Sequence, residues 1–126
     1  MTLSILRILL YVQLLLGLVK YAGARIGLPT LGRVFDVHVL IGLIVAILAI
    51  YALRSVPGIR NTGIRIVARF FPLLPLALGI GFLAHVVPVP AFVVLHMVLG
   101  IATIGLVEVS TAQQRRAQRR RRSFAG

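Results

Sequence analysis

Two histidines set in apolar surroundings are the residues of this chain best suited to chemistry. His38 lies in DVHVLIGLIVAILAIYAL, residues 36–53, where no polar side chain occurs over 39–49. His96 lies in FVVLHMVLGIATIGLVEV, which starts at residue 92. Each is followed four residues later by a glycine, Gly42 and Gly100. Residues four apart share a helix face, so each glycine clears a space one turn beyond a ring. Two imidazoles facing across such a gap leave room for a flat, mostly apolar plate. Haem is such a plate, and histidine is its frequent ligand. Gly17, Gly79 and Gly81 can thin the remaining walls in the same way.

The elements that hold these rings follow from composition. The chain has 126 residues, is 60% hydrophobic and has a mean hydropathy of +1.05, whereas soluble domains are roughly 45–50% apolar. This length suits one domain. The absence of cysteine excludes disulfides, thiolate metal sites, iron–sulfur clusters and a cysteine nucleophile. Four apolar segments, residues 3–21, 34–53, 67–87 and 91–113, approach the roughly 20 residues a helix needs to cross hydrocarbon. None alternates like a strand, and in lipid only helices or closed barrels satisfy their backbone groups. The expected fold is therefore all-α: an integral membrane four-helix bundle over residues 1–113, with a polybasic tail over 114–126. The first segment, which ends near AGA like a signal peptide, is expected to be retained as a helix. Pro72 and Pro75 should kink the third helix.

Charge sets the expected orientation. Arg54, Arg60, Arg65 and Arg69 fall between the second and third segments or at the start of the third, and RRAQRRRR follows the fourth. By the positive-inside rule both termini are cytoplasmic, in a multi-pass protein of the inner (plasma) membrane. His38 then lies about 24 Å above the inner boundary and His96 about 26 Å. The two rings share a height in the outer third of the membrane, where ionisable groups are functional candidates. Lys20, Arg25 and Arg33, on the outer side, are the cations placed to meet haem propionates. His85, beside VVPVP, reads as an interfacial residue. The only acids, Asp36 and Glu108, are too far apart in their helices for a paired acid–base mechanism, and Glu108 is expected to pair with an arginine.

The order YVQLLLGLVKYAGARIGLP, VHVLIGLIVAILAIYALR, LHMVLGIATIGLVEV resembles one four-helix half of the haem A synthases, membrane enzymes that oxidise haem O. The resemblance spreads over most of the chain. Gln13, Gly17, Lys20, Gly23 and Gly27 fall in the family's first-helix order, and the resemblance implies that His38 and His96 ligate haem. The family also carries a glutamate three residues before the second-helix histidine. Here that position is Phe35, and Asp36 is one residue out of phase, about 100° around the helix.

The reading is a membrane b-type cytochrome, with one haem b per chain held by His38 and His96 and with Gly42, Gly100, Lys20, Arg25 and Arg33 around it. Haem A and haem O are alternative bound forms. Such a haem passes electrons within or beside a respiratory or photosynthetic complex. The expected partners are membrane lipid and other subunits of a redox complex or a second copy of the chain, with no role in nucleic-acid binding. The alternatives are an enzyme like the haem A synthases and a cofactor-free structural or assembly subunit. Topology is open to direct measurement: a reporter fused after Gly126 should be active only on the cytoplasmic side, and activity on the outer side reverses the orientation.

Overall fold

A computed structural model of the chain describes residues 2–27, 32–54, 63–84 and 89–124. The side chains of residues 24, 25, 32–36, 89–91, 120–122 and 124 lie outside that description. The described residues form five helices: α1 Thr2–Arg25, α2 Gly32–Ala52, α3 Gly63–Phe70, α4 Leu73–Leu83 and α5 Val89–Phe124. The protein is all-helical. Three stretches, Thr2–Gly23 on α1, Gly63–Leu83 across α3 and α4, and Phe92–Arg119 on α5, are long and apolar enough to cross a membrane. The described apolar stretch of α2, Val37–Ala52, is shorter.

The third expected helix is two. Proline lacks the N–H that would continue the α3 ladder, and its ring clashes with the carbonyl four residues earlier. The helix accordingly ends at Phe70, turns through Phe71 and Pro72, and restarts at Leu73. The Phe71 amide donates to the Val67 carbonyl at 2.8 Å, and the Leu74 amide donates to Phe71 at 3.0 Å. Pro75 then sits in the first turn of α4, where a missing N–H costs little. The helical start also lies earlier than expected, at Gly63, so Arg65 belongs to α3 rather than to a loop. α1 closes on Gly27, whose φ of 71° is the left-handed conformation that glycine adopts without strain. α5 has 36 residues and is about 54 Å long. That exceeds a hydrocarbon core of about 30 Å, so its arginine-rich end extends well past a span as continuous helix.

α1 packs against α2 and α5, while the α3–α4 pair packs against those same two helices. α2 and α5 therefore occupy opposite corners of a four-cornered bundle. The dry core lies toward the arginine-rich end. Leu6 and Leu10 of α1, Val45 and Ala49 of α2, the following Leu53, Ala68 of α3 and Val107 of α5 form it. Spacings of four residues on α1 and α2 bring successive side chains onto the inward face. Many large apolar side chains, such as Ile8, Leu15, Ile47 and Ile101, stay exposed on the outside.

Polar groups close this end. Arg65 is buried and acts as a fork across three partners. Its Nε donates to the Leu53 carbonyl at 3.1 Å, Nη2 to the Arg54 carbonyl at 2.9 Å, and Nη1 to Gln114 Oε1 at 3.1 Å. The first two acceptors are carbonyls at the end of α2, where no intrahelical partner remains and the helix dipole favours a cation. Arg65 thus ties α2, α3 and α5 together. Glu108 accepts from Arg7 Nε at 2.7 Å and from the Tyr11 hydroxyl at 3.2 Å, joining α1 to α5. Thr103 and Thr111 satisfy their hydroxyls on the carbonyls of Leu99 and Val107, four residues back.

Replacing Arg65 with methionine leaves the buried Leu53 carbonyl without its donor, at a cost of about 1–3 kcal/mol. Arg65→Met should lower the thermal midpoint followed by circular dichroism in detergent. Arg119→Gln, on the exposed arginine-rich end, should leave it almost unchanged, and equal midpoints for both variants remove the tie.

Candidate functional site

The half of the bundle beyond the dry core encloses a cleft rather than a packed interior. Gln13, Gly17, His38, Gly42, Pro75, Gly79, His96 and Gly100 are among its lining residues, so all four corners contribute. Its enclosed volume is about 80 Å³, below the roughly 300–1,000 Å³ of small-molecule and cofactor pockets, so a cofactor-sized guest requires its walls to move apart. Its walls are mainly apolar, with the two imidazoles, the Gln13 amide and the Thr103 hydroxyl as the exceptions.

His38 from α2 and His96 from α5 meet across the diagonal. Their ring centroids are 6.0 Å apart and their planes are tilted by 55°. The shared height inferred from sequence is thus a direct juxtaposition. Glycine makes the meeting possible, but from the neighbouring helices. A Cβ on Gly17 of α1 would stand 3.2 Å from His38 Cε1, and one on Gly79 of α4 would stand 3.5 Å from His96 Cε1. Each ring fills the place of a missing side chain on the neighbouring helix. Gly42 serves another guest: its missing Cβ leaves the space taken by the Gln13 amide, whose Nε2 would lie 3.0 Å away. Gly100 faces open space among the described residues and lines the cleft.

Gln13 also reaches His38. The two Nε2 atoms are 3.3 Å apart, and the direction of donation follows the ring tautomer and the amide orientation. Nδ1 of His38, Nδ1 of His96 and Oε1 of Gln13 are buried with no partner. Buried polar atoms are ordinarily hydrogen-bonded; three of the unpartnered ones gather around this cleft, and Arg69 Nε and Ser110 Oγ are unpartnered away from it. Phe82 presents an edge-on contact to His96, with centroids 5.8 Å apart, and holds that ring from the α4 side.

These observations test the fit of a metal-centred cofactor. An imidazole nitrogen binds a metal at about 2.0–2.1 Å, and about 1 Å separates that nitrogen from its ring centre, so two rings sharing one ion lie about 6 Å apart. The observed separation of 6.0 Å is compatible with a shared ion, while the unpartnered Nδ1 of His38 lies on the ring edge beside Gly17. The Gln13 amide now occupies the Gly42 niche beside His38, so a plate between the rings needs that side chain to swing aside. Among the described residues no cluster of three or more His, Asp or Glu side chains could hold a metal ion.

The other expected site residues divide. Lys20 is half-buried and lies close enough to both rings to act on them electrostatically. Arg25 ends α1 and Arg33 lies in the first turn of α2, but their side chains fall outside the described residues, as do those of Asp36 and His85. Gln13 was legible as part of a motif and not as a cleft residue. The signal was its register, because Gln13, Gly17 and Lys20 recur at helical spacing on one face of α1.

Fold and site together define a helical bundle whose four corners enclose a histidine-paired cleft. Residues 35–125 match the family model described as a protein of unknown function, DUF1516, and the chain belongs to that family. No curated protein and no solved structure matches it.

The two kinds of glycine should respond differently to a methyl group. Alanine is favoured over glycine in a helix by about 0.8–1.0 kcal/mol, and Gly100 has open space for it. Gly100→Ala should raise or preserve the unfolding midpoint in detergent. Gly17→Ala meets the rigid His38 ring, should lose that gain, and should displace the ring. A midpoint for Gly17→Ala equal to that of Gly100→Ala contradicts ring-into-glycine packing.

Proposed function

We propose that this chain is a multi-pass membrane cytochrome of the inner (plasma) membrane that holds one b-type haem between His38 and His96 and passes electrons. The observation that carries the reading is the pair of rings from opposite helices, 6.0 Å apart, each with a buried nitrogen lacking a partner. Haem supplies a one-electron iron couple when bound. The chain's own residues provide the rest. His38 and His96 are the residues that would hold its iron. Gln13, 3.3 Å from His38 Nε2 in the Gly42 niche, is the side chain that would give way to the guest. Phe82 and the apolar walls exclude water from the rings. Lys20, with Arg25 and Arg33 at the helix ends, provides cations for the propionates, for which charge-assisted bonds are the strong ones.

The resemblance to one half of the haem A synthases supports the same pair of ligands. It extends to oxidation of haem O only as a narrower form of the proposal, because Phe35 occupies the position of that family's glutamate. A second reading, a cofactor-free subunit packed in a larger membrane complex, is favoured by α4. That helix has no buried residue, and Leu73, Leu74, Ile80 and Leu83 are exposed along it.

Absorption spectroscopy separates the readings. The purified chain should give a reduced-minus-oxidised b-type spectrum, with pyridine extraction identifying the haem. His38→Ala and His96→Ala should each convert low-spin haem to a high-spin form or abolish binding, and the double variant should be apoprotein. A colourless chain from haem-replete cells, or a fully loaded low-spin haem in His38→Ala, overturns the cytochrome and leaves the packing subunit.

A further inference from the structure

The opposite end of the bundle carries a second cleft of different chemistry. It lies between the first turn of α1, the end of α2 and the arginine-rich part of α5, with Arg54, Arg115, Gln114, Tyr51, Thr2 and Ser4 among its lining residues. Its volume is about 420 Å³. Nothing in the proposed electron-transfer role uses it.

Its polar groups are biased toward donors. Arg54 lies over the Tyr51 ring, 4.4 Å from guanidinium carbon to ring centroid, which restrains the cation against the wall. Gln114 has its carbonyl oxygen committed to Arg65, which leaves its amide N–H groups to donate. The first-turn N–H groups of α1 have no intrahelical acceptor. No carboxylate lines the cleft. The chain has 14 basic residues against two acids, and Glu108 is already held by Arg7 and Tyr11. A compensating anion must come from outside the chain. Its source is suggested by the surroundings: Ile5 and Ile8 on α1 and Val109 on α5 are exposed apolar side chains on the same helices as the cleft.

We infer that this cleft binds the phosphate group of an anionic phospholipid, with the guanidinium groups of Arg54 and Arg115 on the phosphate and the acyl chains along the exposed apolar faces. Arginine suits phosphate through paired N–H donors. This site differs from diffuse attraction by the polybasic helix end, because Arg116 and Arg119 carry the same charge without lining the cleft.

The full-length chain in detergent, offered equal phosphatidylglycerol and phosphatidylcholine, can be examined by native mass spectrometry for retained lipid. Wild type should retain phosphatidylglycerol in preference. Arg54→Gln/Arg115→Gln should weaken that preference by roughly tenfold or more, given the contribution of each basic residue near an anionic headgroup. Arg116→Gln/Arg119→Gln removes equal charge and should leave most of it. Circular dichroism checks folding, and Arg115→Gln alone should give an intermediate loss if the double variant unfolds. Equal retention of the two lipids, or equal loss in both double variants, overturns the site. Displacement of the lipid by millimolar inorganic phosphate reassigns it to a soluble anion and overturns the lipid proposal. All these readouts are independent of haem, so failure here leaves the cytochrome standing.

Discussion

Two imidazoles from opposite corners of a four-helix bundle are normally kept apart by the side chains of the helices between them. In this chain Gly17 and Gly79 remove those side chains where the rings need space, and His38 and His96 approach to 6.0 Å. Every other property of the cleft depends on that fit. With the rings drawn inward, Gln13 can reach His38, Phe82 can meet His96 edge-on, and the apolar walls can surround an island of polar atoms. The glycines have a further consequence for backbone packing, since small residues let helices approach closely where no hydrophobic force separates helix from lipid.

The bundle divides its labour along its length. One end is dry and tied by polar cross-links. Arg65 supplies donors to the terminal carbonyls of α2, and the Arg7–Glu108 pair bridges α1 and α5. The other end is hollow. An open cleft is unstable in isolation because its walls lack dispersion partners, so it needs a rigid neighbour to hold its shape. Leu6, Leu10, Val45 and Ala49 provide that neighbour. Leu10 and Val45 also line the cleft itself, so the dry core and the hollow share a boundary.

Much of this plan is legible in the sequence. Apolar runs of spanning length imply helices, and matched distances from the arginines place the two histidines at one height. The break at Pro72 follows from missing N–H groups. What the sequence conceals is the pairing between helices. His38–Gly42 and His96–Gly100 repeat along the chain, yet the rings pack against Gly17 and Gly79, because rotation about the helix axis decides which glycine faces which ring. Arg65 is concealed for a related reason: a basic residue near a span reads as topology, whereas its forked donors fit buried carbonyls that appear only once α2 has ended. The continuous helix through the arginine-rich segment is likewise invisible to charge counting, although arginine is itself a good helix former.

The break between α3 and α4 has a kinetic consequence. α3 contributes buried Arg65 and Ala68 to the tied end, whereas α4 has no buried residue of its own and is joined to α3 by a two-residue turn. Regions with few buried contacts open locally at lower free energy than the whole fold. α4 is therefore the wall expected to open at the lowest free energy, about the turn at Phe71 and Pro72. Its opening would uncover Gly79 and the His96 ring that packs on it, so the cleft is reached from the side before the tied end parts.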